Sequence, residues 1–160
     1  MTNRLSLSLL NENDADFILE LFNTEGWIKF IGDRNIKTTE DSKIYIQKTA
    51  GNLDITYWVV KLKDKNVSIG LISFIKRNYL DHHDIGFALL PDFSNKGFAF
   101  EATEAVLHDA LKDPTHKTML ATTMTDNRNS INLIEKLGFQ FNKEIINEQV
   151  KLLLYSITID

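Results

Sequence analysis

Apolar residues alternate with polar ones in several short stretches of the chain, a pattern typical of strands that bury one face. At the start of the chain, Leu5, Leu7 and Leu9 are separated by serines. Short polar segments such as 63–66 lie between such stretches and favour tight turns. The pattern predicts seven strands, at 4–10, 56–62, 67–76, 83–90, 118–124, 139–146 and 150–159.

Apolar residues spaced by three and four predict four helices between these strands. Thr38 and Asp41 have the spacing of a capping pair at the start of the second helix. The sequence contains no internal repeat, low-complexity tract or linker, which indicates one mixed α/β domain over 1–160. The predicted helices run from Asn11 or Asn13 to Gly26, over 38–50, from Lys96 or Gly97 to Asp113, and over 127–137.

Composition narrows the possible functions. The net charge is −4 and the eighteen Lys and Arg residues are scattered, which argues against nucleic acid as the main partner. The absence of cysteine excludes a thiolate metal site and a cysteine nucleophile. The first fourteen residues do not resemble a secretory signal, and no apolar run is long enough to span a membrane. We expect a soluble cytoplasmic protein without a metal ion.

The segment PDFSNKGFAFEA, residues 91–102, places a glycine where a predicted strand turns into a helix. A helix start has unpaired backbone amides and a partial positive charge, so it can hold a phosphate group. Gly97 has no side chain to block that approach, and Lys96 adds a positive charge. The alternative is a purely structural turn, since glycine is common at helix starts. The segment lacks the Lys-Ser or Lys-Thr of a phosphate loop and the three glycines of a dinucleotide fingerprint.

A second segment, TDNRNSINLIEKLGF at 125–139, supplies the context. Together, SNKGFAFEA and NRNSINLIEKLGF resemble the acetyl-CoA signature of the GNAT superfamily of N-acetyltransferases. RLSLSLLNENDADFILELFN resembles the entry of the branch that contains ribosomal-protein N-terminal acetyltransferases, and nearly the whole chain is covered. The resemblance implies a mostly antiparallel twisted sheet of about seven strands flanked by about four helices.

The resemblance also implies acetyl-CoA as co-substrate. Its pyrophosphate would lie on the glycine turn, and its pantetheine arm would pair with the strand around Phe87 to Leu89. Ser94 replaces the long polar residue that the family often has there, and Ile134 replaces its common tyrosine acid. The cofactor-binding residues implied in this way are Phe87, Leu89, Asn95, Lys96, Gly97, Phe98, Ala99, Asn127 and Ser130.

Two residues are candidates for catalysis. Asp84 is predicted on the strand face opposite Ile85, beside the open position of Gly86, where it would act as general base. The alternative is an exposed aspartate at a strand edge. Ser130 is a candidate to hydrogen-bond or protonate the departing thiolate, and its alternative role is to satisfy an amide at the helix start. The main-chain amide of Leu89 is a candidate donor to the acetyl oxygen.

Several other side chains have weaker claims to a role. His82 and His83 point to opposite strand faces, so at most one reaches the cleft. For Glu101, pairing or capping within the fold is favoured over catalysis. Tyr155 is expected to pack rather than to line the acceptor site. Trp27, Phe30 and Tyr45 either shape that site or pack in the core.

The sequence therefore predicts an N-acetyltransferase that moves an acetyl group directly from acetyl-CoA to a primary amine, either a protein N-terminus or a small molecule. The alternative is a non-catalytic acyl-CoA-binding or regulatory module of the same fold. A nucleotide-binding protein is less well supported, because no metal-binding acid and hydroxyl pair accompanies the glycine turn. The expected state is a monomer or a homodimer.

Overall fold

The computed structural model describes residues 2–160. They form a seven-stranded sheet with helices on both faces. The strands are β1 (Leu5–Leu9), β2 (Ile55–Leu62), β3 (Val67–Ile75), β4 (Asp84–Leu89), β5 (Thr118–Met124), β6 (Gln140–Asn147) and β7 (Val150–Thr158). The helices are α1 (Ala15–Phe22), α2 (Glu25–Phe30), α3 (Thr39–Ala50), α4 (Phe98–Ala110) and α5 (Arg128–Lys136), with short 3₁₀ turns at Glu12–Asp14 and Pro91–Phe93.

The strand order is β1-β2-β3-β4-β5-β7-β6, and every neighbouring pair is antiparallel except β4 and β5. Those two strands are parallel and share one registered residue pair, Asp84 with Leu120. A parallel pair normally continues its evenly spaced hydrogen bonds along both strands. Here the pairing stops at its first step, so the sheet is divided into two parts that are joined near the start of β4.

Each face of the sheet has its own hydrophobic core. One core packs Val106 of α4 and Ile131 of α5 against Ile72 and Met119 of the sheet. The other packs Ile18 of α1 and Ile46 of α3 against strand residues such as Val59 and Leu71. Because Leu71 and Ile72 are adjacent, their side chains point to opposite faces, as the period of a strand requires. The helix pair α4 and α5 therefore lies across the sheet from α1, α2 and α3.

The first predicted helix was wrong at its end. It stops at Phe22 instead of Gly26, and Gly26 lies inside a separate helix, α2. The hydroxyl of Thr24 accepts a hydrogen bond from the amide of Trp27 and begins α2. Trp27 stacks on Phe22 with ring centroids 3.9 Å apart, and this packing offsets the low helix propensity of glycine.

The other predicted elements agree with the structure to within a few residues. Thr38 caps α3 with Asp41 as the pattern predicted, and Asn11 forms a similar capping box. Helix α4 ends at Ala110, three residues before the predicted stop at Asp113. The mixed α/β class and the seven strands are confirmed, and residues 2–160 contain five helices in place of about four. No helix within residues 2–160 has the length and hydropathy needed to cross a membrane.

Candidate functional site

The cleft between β4 and β5 exposes unpaired main-chain groups. The amide of Leu120 donates to the carbonyl of His83 at 2.9 Å, and no further registered pair joins the two strands. On the other edge of β4, the amide of Leu90 donates to the carbonyl of Ile69 at 2.8 Å. Successive residues of a strand direct their peptide groups to alternate edges. Phe87 and Leu89 therefore direct their amides and carbonyls toward β5, into the cleft.

At the end of β4 the chain turns into α4 through a left-handed backbone. Asn95 has φ 60° and Gly97 has φ 82°, so Lys96 lies between two left-handed positions. Backbone amides in such turns form concave anion sites. Within residues 2–160, no acceptor is bonded to the amides of residues 95–100, and Glu101 donates the first helical hydrogen bond, to the carbonyl of Gly97 at 3.1 Å. These free amides lie at the positive end of the α4 dipole.

Residues 94–97 of the turn are exposed. A Cβ on Gly97 would lie 3.3 Å from Nη2 of Arg4, in a backbone conformation that other residues rarely adopt. Lys96 is exposed, with its Nζ 5.9 Å from the ring centroid of Phe93. Phe98 and Ala99 are half-buried at the first turn of α4. The predicted anion-binding residues Asn95 to Ala99 thus form one continuous turn.

The start of α5 lies on the other side of the cleft, directly after β5. Oδ1 of Asn127 accepts a hydrogen bond from the amide of Ser130 at 3.3 Å and caps the helix. The capping alternative for Ser130 was therefore wrong: Asn127 fills that role, and the Ser130 hydroxyl forms no hydrogen bond within the described chain. Ile134 is 1% exposed and packs in the core, so it offers no acid or base.

Asp84 is buried and paired, in contrast to the exposed alternative. It is 4% exposed, and its Oδ2 accepts a hydrogen bond from Nε of Arg77 at 2.9 Å. Oδ1 has no hydrogen-bond partner in residues 2–160. Burial raises the pKa of Asp84, against the opposing effects of Arg77 and of the nearby Thr122 hydroxyl. A carboxyl group with a raised pKa is closer to the pKa range of a useful general base than an ordinary aspartate is.

The space beside Gly86 is already occupied. A Cβ on Gly86 would lie 2.5 Å from Oγ of Ser73, so the expected opening for substrate next to this glycine was wrong. Ser73 pairs with Gly86 on one side and with Tyr57 on the other. The Tyr57 hydroxyl lies 2.9 Å from that of Tyr45. Burial, followed by the effect of Tyr45, raises the pKa of Tyr57, so the Tyr57 phenol stays neutral.

Sequence reasoning missed Arg77 as the partner of Asp84, and it missed Ser73 and Tyr57, which lie in the same row as Gly86. No local motif marks them, because strand register brings Ser73 and Tyr57 into the same row. The Arg77 to Asp84 pair spans a loop of irregular backbone. Alternation along β2 and β3 predicts only which residues share a face.

His83 belongs to a small cluster of aromatic rings. His83 stacks on Phe74 with ring centroids 4.5 Å apart, and His116 meets both rings edge-on. Burial, with smaller contributions from His116 and Lys76, lowers the pKa of His83. His82 is exposed. Neither histidine is grouped with enough acids or other histidines to hold a metal ion, and no such group of three or more occurs in residues 2–160.

The remaining candidates have structural contacts. Both carboxylate oxygens of Glu101 bind the N-terminal segment, through Thr2 and Arg4. Tyr155 is 3% exposed and lies in the core, with its hydroxyl 3.4 Å from Glu135. Tyr45 meets the ring of Phe22 edge-on at 5.2 Å. These contacts agree with the expected structural roles of Glu101 and Tyr155.

A seven-stranded sheet that splits at one parallel pair, with a glycine turn at the opening, matches a known family. The acetyltransferase (GNAT) domain matches residues 4–140. The chain belongs to the GNAT acetyltransferase family and is an acyltransferase, as the sequence resemblance predicted.

Individual relatives agree with this assignment. The uncharacterized N-acetyltransferase YnaD of Bacillus subtilis (strain 168) is 29% identical over 141 residues, which are 87% of this chain and 81% of YnaD. RimL, a ribosomal L7/L12 α-N-protein acetyltransferase in complex with coenzyme A, superposes with a TM-score of 0.86 at 14% identity, covering 99% of this chain and 96% of RimL. Spermidine N-acetyltransferase from Vibrio cholerae, in complex with CoA and spermine, superposes with a TM-score of 0.83 at 18% identity. The match covers 97% of this chain and 95% of the Vibrio cholerae enzyme. At these identities the two solved structures establish the fold.

The capping bond of Asn127 gives a stability prediction. Asn127→Ala removes the acceptor for the Ser130 amide and should lower the free energy of unfolding by about 1 kcal/mol. Asn127→Asp keeps an oxygen at the same place and should stay within about 0.5 kcal/mol of the native protein. Urea unfolding of the three proteins measures both values. Equal losses in the two variants would show that the helix cap is not what Asn127 contributes.

Proposed function

We propose that this protein transfers the acetyl group of acetyl-CoA directly to a primary amine. The observation that carries the proposal is the turn of free amides at residues 95–100, which opens onto the edge of β4 that β5 leaves unpaired. An anion site adjoining an unpaired strand edge suits a ligand with a diphosphate at one end and an amide-containing arm at the other. Coenzyme A has this construction.

Each part of coenzyme A has a proposed partner in the cleft. The diphosphate accepts hydrogen bonds from the amides of Gly97, Phe98 and Ala99, with Lys96 as an added charge and Asn95 shaping the turn. The pantetheine arm pairs with the main chain of Phe87 and Leu89 as an added strand would. Asn127 uses its Nδ2 for the arm, since its Oδ1 already caps α5.

Asp84 is the proposed base for the attacking amine. The neutral amine attacks the thioester carbonyl, and the proton that its nitrogen loses passes to the carboxylate, directly or through water. The unpartnered Oδ1 is the proposed acceptor of that proton, because Oδ2 is held by Arg77. The positive charge of Arg77 favours the ionised form of Asp84 and so opposes the effect of burial on its pKa.

The oxyanion and the thiolate need donors on the cleft side. The main-chain amide of Leu89 is the proposed donor to the carbonyl oxygen as its negative charge grows. The Ser130 hydroxyl is the proposed hydrogen-bond donor to the departing sulfur, and it has no competing partner in residues 2–160. The products are an N-acetylated amine and free coenzyme A, with no acetylated enzyme intermediate.

The proposed acceptors are protein N-termini and small primary amines. RimL acts on a ribosomal protein N-terminus, and the Vibrio cholerae enzyme is a spermidine acetyltransferase. An acyl-CoA-binding module without catalysis is the second candidate, favoured by the buried Ile134 and by the salt bridge that occupies Asp84. Release of free coenzyme A across a panel of N-terminal peptides, polyamines and aminoglycosides distinguishes the two.

The first test of the cofactor site is Gly97→Glu. The new carboxylate would repel phosphate and force a strained backbone at φ 82°, so binding of coenzyme A should fall by at least about 100-fold. Gly26→Glu is the matched control, because a Cβ at Gly26 meets no atom within 4 Å. Calorimetry with coenzyme A measures both. Unchanged affinity in a folded Gly97→Glu protein would place the diphosphate elsewhere.

The base proposal predicts a pH profile. A base acts when ionised, so kcat/KM should rise with pH through the raised pKa of Asp84, and Asp84→Asn should remove this limb and lower kcat/KM by about 100-fold or more. A limb that belongs to the acceptor amine moves when an acceptor of different pKa is used, whereas the Asp84 limb stays. Asp113→Asn, at an exposed position, is the control. A folded Asp84→Asn enzyme with native kcat/KM and an unchanged profile would exclude Asp84 as the base.

The thiolate proposal predicts the effect of Ser130→Ala. Loss of the hydroxyl should lower kcat by about tenfold or more, with little change in KM for acetyl-CoA, because the bond forms as the sulfur departs. The thermal unfolding midpoint should stay near that of the native protein, since Asn127 still caps the Ser130 amide. Steady-state kinetics with a saturating acceptor gives the result. A native kcat in this variant would mean that another group, such as water, serves the thiolate.

A further inference from the structure

Arg4, which precedes β1, contacts the glycine turn from a distant part of the chain. Its Nη1 donates a hydrogen bond to the carbonyl of Lys96 at 3.0 Å. Its guanidinium carbon lies 4.4 Å from the ring centroid of Phe98. A Cβ on Gly97 would lie 3.3 Å from its Nη2. One arginine therefore touches three consecutive residues of the turn.

Glu101 holds Arg4 in this position from the first turn of α4. Oε2 of Glu101 accepts a hydrogen bond from Nε of Arg4 at 2.7 Å, and Oε1 accepts one from the Arg4 amide at 2.8 Å. The hydroxyl of Thr2 donates to the same Oε1 at 2.6 Å. Burial alone would raise the pKa of Glu101, but the hydrogen bonds from Thr2 and Arg4 and the charge of Arg4 lower it. Glu101 is thus ionised and fixes both the backbone and the side chain of Arg4.

The bond to the Lys96 carbonyl determines where the next amide points. A trans peptide unit is planar, with its C=O and N–H directed to opposite sides. When Arg4 holds the carbonyl of Lys96 on one side of the turn, the amide of Gly97 is directed to the other side. Gly97 has a left-handed backbone that glycine readily leaves, so an external bond is needed to keep this peptide in one orientation.

We propose that Arg4 is a positioning residue for the diphosphate site: it holds the Lys96–Gly97 peptide so that the Gly97 amide is directed at the ligand. The inference rests on the proposed function, since the diphosphate is that of coenzyme A. Arg4 acts through the turn, from the side opposite the phosphates, and Glu101 acts through Arg4. Its effect is confined to ligands that carry the diphosphate.

The experiment measures coenzyme A and pantetheine binding to the native protein and to Arg4→Ala, by calorimetry on the full chain. Loss of a charged hydrogen bond that orients the turn should raise the Kd of coenzyme A by about tenfold or more, with no change in the Kd of pantetheine. Arg34→Ala, which removes an exposed arginine from another loop, is the control and should leave both values unchanged. Thermal unfolding confirms that each variant is folded.

Two further variants distinguish a positioning role of Arg4 from an effect of its positive charge alone. Arg4→Lys keeps the charge, but a single ammonium group cannot bond Lys96 and Glu101 in the geometry of a guanidinium, so its Kd for coenzyme A should resemble that of Arg4→Ala. Glu101→Gln should weaken coenzyme A binding, and adding it to Arg4→Ala should cause little further loss, because both act through one contact.

Native affinity in Arg4→Ala, native affinity in Arg4→Lys, or an equal loss for coenzyme A and pantetheine would each overturn the positioning role. If the unmodified protein does not bind coenzyme A, the proposed function fails, and the role of Arg4 fails with it. If it binds coenzyme A and Arg4→Ala binds equally well, the proposed function stands and only the role of Arg4 is wrong.

Discussion

The parallel junction of β4 and β5 is the constraint on which the site depends. One residue pair, Asp84 with Leu120, joins the two strands, and beyond that pair the strands are no longer in register, although the core on the α4 side packs against residues from both parts of the sheet. An unpaired strand edge inside a protein leaves polar main-chain groups without partners, which is unfavourable unless water or a ligand supplies them. The free edge of β4 is consistent with a site that a substrate completes, and the buried Asp84 lies where the two strands meet.

A second set of contacts connects the first residues of the described chain to the turn before α4. Glu101 binds Thr2 and Arg4, and Arg4 binds the Lys96 carbonyl, so the first residues of the chain are tied to the turn before α4. Charge-assisted hydrogen bonds are the stronger class of such contacts, and three of them share one carboxylate here. The turn therefore depends on residues almost one hundred positions away as well as on its own sequence.

Local rules explain which parts of the fold were predictable from the sequence. Thr38 with Asp41, and Gly97 at the start of α4, mark element boundaries through backbone chemistry that operates within a few residues. The end of α1 was not predictable, because Trp27 stacks on Phe22 and forms a helix around Gly26. Tertiary packing of this kind overrides local propensity.

The residues of the candidate site also divide into those that the local sequence predicts and those that it does not. The glycine turn and the start of α5 belong to continuous segments, and both were located from the sequence, although Ser130 and not Asn127 was considered as the residue that satisfies an amide at the start of α5. The pairing of Asp84 with Arg77 and the placement of Ser73 against Gly86 arise from strand register and from a loop, which no short motif encodes. The hydrogen bond between Arg4 and Lys96 joins residues that are 92 positions apart in the sequence.

The most direct test of the central claim is a crystal structure with coenzyme A bound. Diphosphate oxygens should lie within hydrogen-bond distance of the amides at Gly97, Phe98 and Ala99, and the pantetheine arm should pair with the main chain of Phe87 and Leu89. Coenzyme A bound away from the cleft would contradict this placement of the site. So would a cleft that is filled by side chains, with β4 and β5 paired along their length.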